Sequence, residues 1–60
     1  MASWRIIKQK HTNNGLIRVI GLPKYYIKKY IVDKIHNGIS TEITQTDTLA
    51  QANKIYNTIS

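Results

Sequence analysis

The segment Tyr25-Tyr26-Ile27-Lys28-Lys29-Tyr30-Ile31-Val32-Asp33-Lys34-Ile35 decides what this chain folds into, because it satisfies two incompatible periods. As a helix it has Pro23 at the first turn, an apolar face of Tyr26, Ile27, Tyr30, Ile31 and Ile35, and Gly38 just past its end after Asn37. As a strand it is made largely of Tyr, Ile and Val, and it runs into His36-Asn37-Gly38, which reads as a three-residue hairpin loop with Gly at the left-handed position.

The following residues choose between the two. Ile39-Ser40-Thr41-Glu42-Ile43-Thr44-Gln45 is rich in β-branched side chains, a poor helix and a good strand. A three-residue loop makes Ile35 face Ile39, Asp33 face Thr41 and Ile31 face Ile43. One side of the sheet then carries Ile17, Val19, Ile27, Ile31, Ile35, Ile39 and Ile43, interrupted chiefly by Lys29, Asp33 and Thr41. The other carries Arg18, Tyr26, Lys28, Tyr30, Lys34, Ser40 and Thr44, with Ile20, Val32 and Glu42 among them. An apolar side and a basic, aromatic side are the alternation expected of an antiparallel sheet covered on one face only.

Two further runs of β-formers precede this pair, Trp4-Arg5-Ile6-Ile7 and Leu16-Ile17-Arg18-Val19-Ile20, separated by Thr12-Asn13-Asn14-Gly15, a turn in which Asn and Gly tolerate positive φ. Residues 1–15 form either one more strand or a basic arm carrying Arg5, Lys8, Lys10 and His11, and residues 16–60 form the sheet-plus-helix domain proper.

The cover for the apolar face lies at the end of the sequence. Thr48-Leu49-Ala50-Gln51 has the form of a capping box, and Asp47 adds negative charge at the helix start. Leu49, Ala52, Tyr56 and Ile59 fall on one side of the resulting helix of about three turns. The expected class is therefore α+β: an antiparallel sheet of three strands, or four if the N-terminal stretch pairs, with one C-terminal helix packed on one face.

Composition limits function. With no cysteine, disulfides, zinc ribbons and thiol nucleophiles are excluded, and a reducing, cytoplasmic setting fits. His11 and His36 are far apart and each lies beside turn residues, so neither metal nor other cofactor is expected. Asp33, Glu42 and Asp47 are spread along the chain without paired carboxylates, a Ser-His-Asp arrangement or a Gly-rich phosphate loop, and the chain reads as a non-enzyme. No apolar run approaches the roughly 20 residues of a membrane span, and Met1-Ala2-Ser3-Trp4-Arg5 lacks the features of a signal peptide. Sixty residues are marginal for an isolated fold, which keeps a homodimer or a tightly coupled partner in view. Nine Lys and Arg stand against three Asp and Glu, a net charge of +6 that points to nucleic acid.

Taken together, Leu16 to Asn57 resembles the Apetala-type (ethylene-response-factor) DNA-binding domain, including its shorter relatives in bacteria, phages and mobile elements. The similar stretches are Val19 and Pro23, Tyr30-Ile31-Val32-Asp33, Asn37-Gly38, Ile43, and above all Asp47-Thr48-Leu49-Ala50-Gln51-Ala52-Asn53-Lys54-Ile55-Tyr56-Asn57, which looks like that family's acidic-Thr-x-x-x-Ala-x-x-x-Tyr-Asp/Asn helix start. The chain departs from the family at Ile43-Thr44-Gln45-Thr46, where Leu-Gly-x-Phe is usual, and has Tyr and Lys where Trp and Arg often face DNA. The resemblance implies three antiparallel strands, a helix on one face, and an exposed sheet face set into the major groove of duplex DNA.

On that basis Arg18 is the candidate for a bidentate contact to guanine, and Lys28, Lys34, Lys24 and Lys29 for phosphates. Tyr26 and Tyr30 are candidates for sugar, thymine methyl or phosphate, or for stacking on unpaired bases, and Arg5, Lys8 and Lys10 extend the basic surface. The leading expectation is a transcriptional regulator or accessory factor of a mobile element, phage or plasmid. A ribbon-helix-helix repressor is the second, with Leu16–Leu22 as ribbon, 23–36 and 46–59 as helices, and Arg18 and Ile20 toward the groove. A small protein-binding inhibitor without DNA affinity is the third.

Overall fold

The computed structural model describes residues 4–24 and 26–59. Met1 to Ser3, read as free of signal-peptide character, and Tyr25, read as the start of a strand, lie outside the described residues.

Four antiparallel strands, β1 (Arg5–Thr12), β2 (Gly15–Gly21), β3 (Tyr30–His36) and β4 (Ile39–Thr46), pair in the order β1-β2-β3-β4, and α1 (Leu49–Thr58) follows them. The N-terminal stretch from Arg5 is thus a strand, and the segment that admitted two periods is a strand in its second half, with 22–24 and 26–29 in the loop that connects it to β2. This excludes the ribbon-helix-helix arrangement, which needs a helix over 23–36. No described helix is long and apolar enough to cross a membrane.

Helix α1 starts where expected. Gln51 N–H donates to Thr48 Oγ1 at 3.2 Å and Thr48 N–H donates to Gln51 Oε1 at 3.3 Å, closing the capping box. Ala52 and Tyr56 are buried, and Leu49, Ile55 and Ile59 pack beside them against Ile17, Val19 and Val32, which are fully buried.

Which side of β3 meets that helix differs from the sequence expectation. In the β2–β3 pair Val19 lies opposite Val32 and Ile17 opposite Lys34, so odd-numbered residues of β2 share a face with even-numbered residues of β3. Tyr30, Val32 and Lys34 therefore lie on the helix side, whereas Ile31 and Ile35 lie on the other side with Leu16, Arg18, Ile20 and Asp33. The β3–β4 turn adds a second difference, in β4. His36 pairs with Ile39 across a two-residue loop, Asn37-Gly38, both at positive φ (53° and 78°), in place of three residues. Ile35 accordingly faces Ser40 and Asp33 faces Glu42, a one-residue change of register that, relative to β3, turns residues 39–42 of β4 to the opposite face. A bulge at Ile43 then restores the alternation, so that Val32 faces Thr44 and Ile31 faces Gln45.

The β1–β2 turn works by another route. Neither Asn13 nor Asn14 adopts positive φ; Gly15 does, at 124°. Thr12 Oγ1 accepts from Asn14 N–H and donates to the Gly15 carbonyl, tying the loop. A Cβ on Gly15 would lie 2.4 Å from the Ile35 carbonyl oxygen, so glycine is also required by the neighbouring strand.

Candidate nucleic-acid interface

Arg18 sits at the centre of the sheet on the face away from α1. Its Nε and Nη2 donate to the two carboxylate oxygens of Asp33 at 2.9 and 2.6 Å, and Ser40 Oγ donates to Asp33 at 3.1 Å. Asp33 is 4% exposed, and the hydrogen bonds it accepts hold the Arg18 guanidinium above its ordinary value against the opposing effect of burial. The Trp4 ring lies 5.9 Å from the guanidinium carbon. The fork that would read guanine is thus occupied by a carboxylate.

The lysines lie elsewhere. Lys8 and Lys10 face Val19 and Ile17 across the β1–β2 ladder, on the helix side, with their ammonium groups 5.2 and 4.5 Å from the centre of the Tyr56 ring. Lys34 occupies the same cross-strand row as Lys10, separated from it only by Ile17. Arg5 pairs with Gly21 on that side too. Sequence alternation placed Arg18 and Lys34 together; the β2–β3 register separates them to opposite faces. Tyr30, expected to be available to a base or sugar, packs beneath α1 against the core.

Lys24, Lys28, Lys29 and Tyr26 belong to the loop between β2 and β3, whose shape is set by backbone bonds from Leu22 N–H to Lys29 O (2.8 Å), Tyr26 N–H to Pro23 O (3.1 Å) and Lys29 N–H to Thr46 O (3.1 Å). Lys28 reaches Asp47 at 3.3 Å across exposed surface, a pair worth about 0–1 kcal/mol and easily exchanged for a phosphate. Lys28 and Lys54 border an open groove of about 350 Å³ between the end of β4 and the first turns of α1, with Gln45, Thr46 and Gln51 on its walls. Lys54 was not among the residues expected to meet DNA. It gains meaning only from the loop folding back beside the helix, which no local pattern announces.

The positive charge is therefore gathered on the helix side and the loop. Arg5, Lys8, Lys10, Lys24, Lys29, Lys34 and Lys54 make no ion pair among the described residues, and the four of them that belong to strands, Arg5, Lys8, Lys10 and Lys34, all lie on the side away from the open face. Such an array attracts phosphates by charge and counterion release and carries no base-reading geometry of its own. Compared with family models, with curated proteins and with solved structures, the chain matches none.

Proposed function

We propose that this chain is a small duplex-DNA-binding protein, a regulator or accessory factor of the kind mobile elements carry, working in the cytoplasm without catalytic chemistry. The observation that carries the reading is the separation of charge. The cations left without carboxylate partners among the described residues lie on the helix side and in the loop between β2 and β3, where they can meet a phosphate backbone without first giving up an ion pair.

The Apetala-type resemblance supports the reading through β2, β3, β4 and α1, which have the order that family leads one to expect. The mode of contact we propose is different. In this chain the open face holds a neutralised Arg18 among isoleucines, so DNA is held from the lysine-bearing side by phosphate contacts. Binding is correspondingly weak in sequence preference and strong in salt dependence.

The test is fluorescence anisotropy on random-sequence duplex at about 50 and 200 mM salt, where 5 to 8 phosphate contacts give a log–log slope of roughly −0.9 per contact. A steep slope supports the reading, and absence of binding at the lower salt overturns it.

A further inference from the structure

We propose that the open face of the sheet is the docking surface for a second copy of this chain, sheet against sheet, about a two-fold axis that runs parallel to the strands between β2 and β3. This goes beyond the DNA reading and does not depend on it.

The first argument is the make-up of the face. Register places Leu16, Ile20, Ile31, Ile35 and Ile6 on it, with Trp4 folded over Arg18, yet α1 covers only the opposite side. Ile6 and Trp4 are 44% and 56% exposed, a poor arrangement for a free surface and an ordinary one for the inner layer of a two-sheet sandwich.

The second argument is charge. The strands present to this face one cation, Arg18, and two anions, Asp33 and Glu42, in a chain whose net charge is +6. It is the side on which two such chains approach without like-charge repulsion, and the one least suited to nucleic acid. Arg18 and Asp33 already satisfy each other, so the centre is ready to be desolvated.

The third argument selects the symmetry. Across the sheet the open face reads Gln9, Arg18, Asp33, Glu42 in one row, with His11, Leu16, Ile35, Ser40 on one side of it and Ile6, Ile20, Ile31, Gln45 on the other. A two-fold axis along the strands reverses each row on the partner. Leu16 then stands over the second copy's Ile35, Ile20 over Ile31, and Glu42 over the amide of Gln9, while the Arg18–Asp33 pairs, each already closed within its own copy, meet in antiparallel sense. With an axis perpendicular to the strands, each row's members meet their own strand instead, and Glu42 stands over Glu42. Self-complementarity of this kind is what an isologous interface requires.

The experiment is sedimentation velocity on the full chain without DNA, from about 5 to 200 µM. The parent is expected to associate to twice its monomer mass within that range. Gln9→Glu, which sets a carboxylate over Glu42, weakens association by about tenfold, and adding Glu42→Lys to it restores the parent affinity. Both positions are exposed, and circular dichroism verifies that the variants keep the fold. A parent that stays monomeric throughout overturns the proposal and leaves the face to a partner of different sequence. A dimer indifferent to Gln9→Glu, or weakened by it without rescue by Glu42→Lys, overturns the proposed geometry as well.

Discussion

Lys10 of β1 donates from Nζ to the Tyr56 carbonyl at 2.9 Å while standing 4.5 Å from the centre of the Tyr56 ring. One side chain thus holds the helix to the sheet by its polar end and its aromatic side together. The last turn of α1 has no basic residue of its own, so Lys10 also supplies the positive charge that the carboxyl end of a helix favours.

Lys10→Met keeps the apolar stem and removes the charge, and is expected to cost about 1 kcal/mol of stability from the lost carbonyl bond and ring contact. Urea denaturation followed by circular dichroism measures it. Lys8→Met costs less, because the Lys8 ammonium is 5.2 Å from the ring centre and the bond to that carbonyl is made by Lys10.

Arg18→Ala leaves Asp33 nearly buried with only Ser40 donating to it from a side chain, and is expected to cost about 3–5 kcal/mol. Replacing both partners, Arg18→Met with Asp33→Leu, recovers most of that loss because no unpaired charge remains. Equal instability of the single and double variants in thermal melts would contradict this account of the pair.

The two hairpin glycines are expected to respond unequally to alanine. Gly38→Ala meets open space and incurs only the cost of a left-handed side chain, about 1 kcal/mol. Gly15→Ala adds a collision with the Ile35 carbonyl and forces β2 and β3 apart, so its melting temperature falls further below the parent's. A differential scanning comparison of the two decides the point.

Thr48→Ala removes the oxygen that accepts from Gln51 N–H and opens the capping box, at a cost of about 1 kcal/mol. Thr48→Ser retains the acceptor and stays close to the parent. Helical ellipticity at 222 nm as a function of urea reports both.

For DNA, Lys29→Ala and Lys34→Ala are each expected to lower the salt slope by roughly 0.9, one phosphate contact apiece. Arg18→Met with Asp33→Leu leaves that slope unchanged, because the guanidinium is committed to Asp33. A drop in slope for this pair and none for the lysines reverses the assignment of the binding surface.

The helix was the most legible part of the fold. Thr48, Gln51 and the spacing of Ala52 and Tyr56 are local signals, and local signals are what a capping box and an amphipathic stripe consist of. Strand content was legible too, through the β-branched runs on both sides of Asn37-Gly38. The faces were harder to read. They depend on whether partner numbers across a ladder have equal or opposite parity, and that follows from the shape of the 22–29 loop and from one residue more or less at Asn37-Gly38. Because Ile31 and Val32 are adjacent and both apolar, composition could not indicate which of them points to the core. The same ambiguity placed Arg18 and Tyr30 in a shared DNA-facing surface, where the structure gives Arg18 to Asp33 and Tyr30 to the helix.

The neighbours in this sheet are also neighbours in the chain, and the helix that covers it comes after the fourth strand. Every ladder is thus closed by a short connection, and the helix needs only to fold back over Ile17, Val19 and Val32 once the strands are paired. Because no strand has to search past another for its partner, loop-closure entropy opposes sheet formation only weakly, and refolding from urea is expected to be fast for a protein with this much β-structure.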